Sequence, residues 1–138
     1  MAIREILFKA KLADEDTWVE GSLVVWKGDT MIYTDRGFPH FMGNFLVEPE
    51  TVGQFTGLTD KNGVKIFEGD IVAYDVEEEG VRYTDYAVIE WSKNGMRYAV
   101  KWGRGYADEW LKKSDESSFR VAGNIHDNPE LIGGADNG

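Results

Sequence analysis

The sequence predicts a mainly β fold, on the evidence of hydrophobic spacing, turn composition and length. Apolar side chains recur mostly at every second residue, which is the spacing of a strand with one buried face. Short apolar stretches end repeatedly at glycine, asparagine or aspartate, the residues that favour tight turns. With 138 residues and no cysteine, the chain has the length of a domain that folds without disulfides. We therefore expect one β-rich domain over residues 1–132, with at most one or two short helices, and a disordered tail at 133–138.

The first part of this domain, residues 1–55, is expected to be a region of antiparallel strands. Its strands are predicted at residues 6–10, 18–26 and 30–34. The second and third flank Lys27-Gly28-Asp29, where the glycine can adopt the positive φ of a tight hairpin. Residues 35–50 contain two glycines, two prolines and three phenylalanines, so we expect a loop that its rings hold against the core.

The second part, residues 56–126, is expected to form a barrel-like region. Strands are predicted at residues 52–58, 64–67, 71–76, 81–91, 96–102 and 119–125. Asp60-Lys61-Asn62-Gly63, Glu68-Gly69-Asp70 and Lys93-Asn94-Gly95 are turn signals between them, and Asp70 is placed to accept backbone N–H groups of its turn. One helix is predicted at residues 106–113, where apolar residues can share a face and lysines lie at the C-terminal end.

The charge of the chain bears on the partners it can have. It carries 25 acidic and 15 basic residues, a formal charge of −10, which disfavours long-range attraction to phosphates or anionic membranes. Its densest acidic stretch, residues 75–79, is expected to be a solvated hairpin tip. No stretch approaches the ~20 apolar residues of a membrane span, and residues 1–13 do not resemble a signal peptide. Because a chain without cysteine fits a reducing compartment, we expect a cytoplasmic protein with no membrane partner.

Three separated blocks of the sequence resemble one known family. The blocks are Arg4-Glu5-Ile6-Leu7-Phe8-Lys9-Ala10, then Val47-Glu48-Pro49-Glu50-Thr51-Val52-Gly53-Gln54-Phe55-Thr56-Gly57-Leu58 continuing through Asp60-Lys61-Asn62-Gly63 to Ile66-Phe67-Glu68-Gly69-Asp70-Ile71-Val72, and Gly123-Asn124-Ile125-His126-Asp127-Asn128-Pro129-Glu130-Leu131. In this order they resemble the YopX-type proteins of phages and prophages. The resemblance implies an N-terminal strand region packed on a small SH3-like β-barrel, location in the host cytoplasm, and no established activity.

The candidate catalytic and metal-binding residues do not form a site in the sequence. Asp60-Lys61-Asn62-Gly63 has oxygen ligands like those of a calcium loop, but that register places Leu58 and Gly69 where oxygen ligands are required. His40 and His126 are the only histidines, and neither has the spacing of a helical metal motif. We therefore expect no catalytic residue, no metal and no cofactor, and hence no enzyme.

One stretch departs from the acidic character of the chain, because residues 92–106 contain four bases and no acid. The bases are Lys93, Arg97, Lys101 and Arg104. On a strand, Arg97 and Lys101 share one face while Tyr98 and Trp102 point to the other. We call the four bases the basic strip. It is a candidate binding surface for phosphates or an acidic partner, or else the set of charges that protects an ordinary edge strand.

Two functions of different classes follow from these features. The first is a non-enzymatic interaction module that contacts an unknown protein partner or a second copy of itself, because edges and loops of small β domains are natural contact sites. The alternative is a small-barrel nucleic-acid binder that uses the basic strip, although the net charge disfavours it. A third, mimicry of DNA by the negative surface, is weakened by the 15 interspersed bases.

Overall fold

The computed structural model describes residues 4–37, 41–105 and 107–133. Within them the chain is mainly β, as predicted, and its strands form two antiparallel sheets. The chain divides into two compact units, Met1–Gly57 and Leu58–Gly138. The predicted single domain over residues 1–132, with regions 1–55 and 56–126, stays a prediction. In the part of the chain described, no helix has the length and hydrophobicity that crossing a bilayer requires.

The first unit is built from consecutive antiparallel strands. They are β1 (Phe8–Lys11), β2 (Trp18–Trp26), β3 (Asp29–Gly37), β4 (Phe41–Leu46) and β5 (Gly53–Thr59), in the order β4-β3-β2-β1-β5. A short 3₁₀ helix, Pro49–Thr51, precedes β5, which itself ends in the second unit. The turn between β2 and β3 has φ values of 51° at Lys27 and 87° at Gly28, as the glycine there predicted.

The chain segment after β4 returns to the end of β1 and ties the sheet together there. Leu12 and Val47 form an antiparallel bridge. On either side of it, the Glu48 N–H donates to the Lys11 carbonyl over 2.9 Å, and the Ala13 N–H donates to the Leu46 carbonyl over 3.0 Å. The buried core of this unit consists of Ala10, Ile32 and Val47.

The second unit contains a five-stranded sheet in the order β10-β9-β8-β7-β11. Its strands are β7 (Asp70–Glu78), β8 (Val81–Ser92), β9 (Arg97–Trp102), β10 (Glu109–Trp110) and β11 (Phe119–Asn124); the short β6 (Lys65–Phe67) is the neighbour of β5 in the strand order. Two 3₁₀ helices, Lys113–Ser117 and Pro129–Ile132, flank β11. Alternate residues of neighbouring strands supply the core. It consists of Ile66, Val72, Ala87, Ile89, Val100 and Phe119.

Two turns of the second unit have the chemistry that the sequence predicted. Asp60 accepts the Asn62 and Val64 N–H groups at 2.8 and 2.9 Å, so residues 60–63 form a carboxylate-capped turn. Gly69 has a φ of 91°, and Asp70 accepts the Phe67 N–H at 2.8 Å. Both carboxylates therefore stabilise turns of the backbone.

The helix predicted at residues 106–113 is wrong. Tyr106 lies outside the described residues, and residues 107–113 contain the short strand β10. Trp110 pairs with Ala99 of β9, and the Leu111 N–H donates to the Tyr98 carbonyl over 2.9 Å. Pairing with an existing strand edge outweighs a short helix, since isolated helices of this length are marginal in water.

The loop predicted at residues 35–50 is also wrong in part. β3 continues to Gly37, and β4 occupies Phe41–Leu46, leaving 38–40 outside the described residues.

The predicted strand at 6–10 begins two residues later, at Phe8–Lys11, and Ile6 is 61% exposed instead of buried. The SH3-like barrel stays a prediction, as does the disordered tail, whose residues 134–138 lie outside the described part.

Candidate functional site

Three members of the basic strip meet at one groove of the second unit. Lys93 and Lys101 line this groove, which has a volume of about 310 Å³ and contains the half-exposed ring of Trp110. Arg97 places its guanidinium 4.7 Å from the centre of that ring, at cation–π distance. Ala99 forms part of the lining and is 4% exposed, because Trp110 of β10 pairs opposite it.

Neighbouring strands bring acids to the basic strip, although it contains none in sequence. Lys101 forms ion pairs with Glu90 at 3.3 Å and with Asp108 at 4.0 Å. Arg104 lies apart from the groove: its Nε is 3.6 Å from Asp85 Oδ1, and its guanidinium is 5.9 Å from the centre of the Tyr83 ring. The strip is therefore two separate sites, each with acidic partners.

The first unit holds a larger groove, which the sequence did not predict. It has a volume of about 990 Å³ and runs between the 12–20 segment and β4. Its apolar lining consists of Leu12, Ala13, Trp18, Val19, Phe45 and Leu46. Leu46 is 53% exposed, so this apolar surface is open to solvent. We call it the first-unit groove.

The charged residues that line the first-unit groove, among those described, are all acidic. The lining includes the carboxylates of Asp14, Glu15 and Glu20 and, among the described lining residues, no lysine or arginine. Lys9 and Lys11 lie over the Trp18 ring at 5.2 and 5.8 Å. Lys11 also pairs with Asp16 at 2.9 Å.

Pattern reasoning missed this groove because its two sides are distant in sequence. One side comes from a segment that was predicted only as a turn at residues 14–16. The other side, residues 44–46, fell in the predicted loop. The sequence signal that could have found it is the pair Phe45-Leu46, which alternates in and out of a strand face and leaves Leu46 on the exposed side.

The remaining candidate residues have structural partners. Asp75, in the acidic stretch 75–79, accepts Arg120 at 2.9 and 3.1 Å and Thr84 at 2.7 Å, and the Arg120 hydrogen bonds hold its pKa well below the ordinary value. His126 is exposed in the turn after β11, and its N–H donates to Asn124 Oδ1. His40 lies outside the described residues. Among the residues described, the acids and histidines form no group of three or more that could hold a metal ion.

Asp60 and Glu116 are the other carboxylates with shifted titration. Burial by itself would raise the pKa of Asp60, but backbone N–H groups of Val121, Val64 and Asn62 outweigh it, so the pKa lies below the ordinary value. A side-chain hydrogen bond from Lys113 and the Thr59 N–H lower the pKa of Glu116. These shifts arise from hydrogen bonds that hold turns and strands together, outside both grooves.

Comparison with known proteins gives the chain relatives over nearly its whole length. A family model described as YopX protein matches residues 5–133. The crystal structure of protein EF1440 from Enterococcus faecalis is similar to this chain, with 26% sequence identity and a TM-score of 0.60. That similarity covers 93% of this chain and 98% of the other. No curated protein matches the chain.

Proposed function

The chain belongs to the YopX family, whose model matches residues 5–133, and from that premise we propose that it is a phage- or prophage-encoded, non-enzymatic protein-interaction module of the host cytoplasm. The observation that carries the proposal is the first-unit groove. Its volume of about 990 Å³ is at the upper end of the range for ligand sites, roughly 300–1,000 Å³. Such a groove accommodates side chains of a protein segment as readily as a small molecule.

The lining of the first-unit groove is suited to contact. An open apolar surface with a polar rim is the anatomy of a protein interface. Leu46 is 53% exposed, and Trp18 lines the same groove. The described lining residues include three carboxylates and no histidine, cysteine, lysine or arginine. The lining therefore offers apolar surface and negative charge for contact with a partner.

The test is capture of a host protein by the tagged chain and by two matched variants. Leu46→Ser removes an apolar side chain from the groove, whereas Val81→Ser removes one from the second unit, where Val81 is 62% exposed. We expect capture to be lost with Leu46→Ser and kept with Val81→Ser. Equal capture by all three proteins would contradict the proposal. Light scattering of the purified chain tells whether a second copy is the partner.

The nucleic-acid alternative has less support in the geometry. Lys101 and Arg104 lie within 4 Å of carboxylates, so a phosphate would compete with Glu90, Asp108 and Asp85. Phosphate binding by paired bases on a chain of charge −10 is unfavourable at long range. A mobility shift of DNA at low salt that disappears in Arg97→Ala with Lys101→Ala would favour this alternative over the interaction module.

A further inference from the structure

We propose that the first-unit groove takes a segment of a partner protein in which an apolar side chain is flanked by lysine or arginine. This inference rests on the proposed function and adds the chemistry of the partner. It joins two properties of the groove, an open apolar lining and a polar rim whose charged members, among the described residues, are all acidic.

The acidic rim selects for a cationic partner. Asp14 and Glu15 are exposed, and neither forms an ion pair within the described part of the chain. Nearby positive charge comes from Lys9 and Lys11, which lie over the Trp18 ring, and Lys11 is already paired with Asp16. An incoming lysine or arginine therefore meets Asp14 and Glu15, which form no ion pair within the described residues, and this attraction raises both its local concentration and its rate of association.

The apolar lining requires an uncharged side chain at the centre of the same segment. The side chains of Leu12, Val19 and Phe45 are half-buried, whereas that of Leu46 is more exposed. A charged side chain placed on these residues would lose hydration without gaining a partner. A leucine-like side chain would instead remove apolar surface from water on both molecules.

A second copy of this chain is a poorer occupant than a basic segment. Each copy carries a formal charge of −10, so bringing a second copy to an acidic rim opposes like charges. The basic strip is the chain's own richest source of positive charge, but Lys101 and Arg104 are paired with acids. Charge complementarity therefore favours a partner of different sequence.

The experiment measures binding of short fluorescein-labelled peptides to the full chain by fluorescence anisotropy. The probe is a peptide with a central leucine flanked by lysines. Two comparison peptides carry glutamates in place of the lysines, or serine in place of the leucine. The groove variant is Asp14→Asn with Glu15→Gln, and the matched control is Glu78→Gln with Glu79→Gln, which removes the same charge from the exposed end of the β7–β8 hairpin.

We expect the lysine–leucine peptide to bind and the other two to bind much more weakly. The groove variant should weaken binding roughly fivefold, since two exposed charge contacts contribute about 1 kcal/mol together. The control variant should bind as the wild type does. Leu46→Ser should weaken binding about tenfold through lost apolar contact.

Three results would overturn this inference. Equal weakening in the groove and control variants would show attraction by total charge alone. Equal binding of the glutamate peptide, still dependent on Leu46, would remove the cationic preference and leave the interaction module in place. Failure of every peptide to bind would contradict this inference but not the proposed function. The proposed function would be contradicted only if the Leu46→Ser variant captured host protein as well as the wild type does.

Discussion

The carboxylate of Asp60 joins two separate parts of the second unit. Its Oδ1 accepts the N–H groups of Asn62 and Val64, and its Oδ2 accepts the Val121 N–H of β11 at 2.8 Å. The adjacent Lys61 N–H donates to the Phe119 carbonyl over 2.9 Å. The turn therefore satisfies backbone groups along the outer edge of β11, which would otherwise offer a template for pairing with another chain.

We expect Asp60→Asn to destabilise the protein by about 2–3 kcal/mol. The substitution keeps one side-chain oxygen but replaces the other by an NH₂ group, which faces the Val121 N–H. Two donors then meet, and the Val121 N–H loses its hydrogen bond at a position where Asp60 is only 4% exposed. The measurement is the urea midpoint of unfolding. Asp14→Asn, at an exposed position, is the control and should change it by less than about 0.5 kcal/mol.

Strands and turns were predictable from the sequence wherever a local feature, such as a glycine in a tight turn, determines the backbone conformation. Gly28 and Gly69 have the positive φ values that tight turns need, and their strands were predicted accordingly. β4 and β10 were missed because glycines, prolines and aromatic spacing suggested other structures. What fixes them is pairing with β3 and β9, which are long-range contacts that no local pattern contains.

The Asn94-Gly95 step illustrates a correct prediction with a different physical cause. The turn does join β8 to β9, but the left-handed residue is Met96, with a φ of 54°. Gly95 has no positive φ; a Cβ there would overlap the ring of Trp110. Its role is therefore to let β10 pack closely over the turn.

This packing predicts coupling between Gly95 and Trp110. Gly95→Ala should destabilise the protein by about 1–3 kcal/mol, the usual cost of overpacking. In a Trp110→Ala background the same change should be neutral or stabilising by up to about 1 kcal/mol, because the ring is gone and alanine restricts the unfolded chain. A double-mutant cycle by urea unfolding measures the difference. Additive effects of the two substitutions would contradict the proposed contact.

The candidate sites show how far sequence reasoning about charge extends. The sequence grouped Lys93, Arg97, Lys101 and Arg104 as one strip, whereas the structure places the first three around one groove and Arg104 apart from it. The sequence could not show that Glu90 and Asp108 pair with Lys101, because Glu90 lies on β8 and Asp108 lies just before β10. For the same reason the pair Phe45-Leu46 could indicate only one side of the first-unit groove, since β4 and the 12–20 segment meet only in three dimensions.

The molecule as a whole should lose stability on acidification below about pH 4. Asp60, Asp75 and Glu116 each have a lowered pKa in the folded chain, for which hydrogen bonds to their charged forms are responsible. A carboxyl whose folded pKa lies below its unfolded value, near about 4, stabilises the fold above that pH. As the pH falls, these carboxyls bind protons at a higher pH in the unfolded chain than in the folded chain. The stabilisation is therefore lost progressively as the pH approaches the folded pKa.

The net charge of −10 acts in the opposite direction at milder pH. Protonation of exposed carboxyls relieves self-repulsion, so we expect urea midpoints that stay level or rise slightly from about pH 7 to pH 5 and fall below about pH 4. Asp75→Asn should flatten the acid limb, because it removes one lowered pKa, whereas Glu78→Gln on the same strand should leave it unchanged. A midpoint that keeps rising down to about pH 3 would mean that repulsion outweighs the hydrogen-bonded carboxylates.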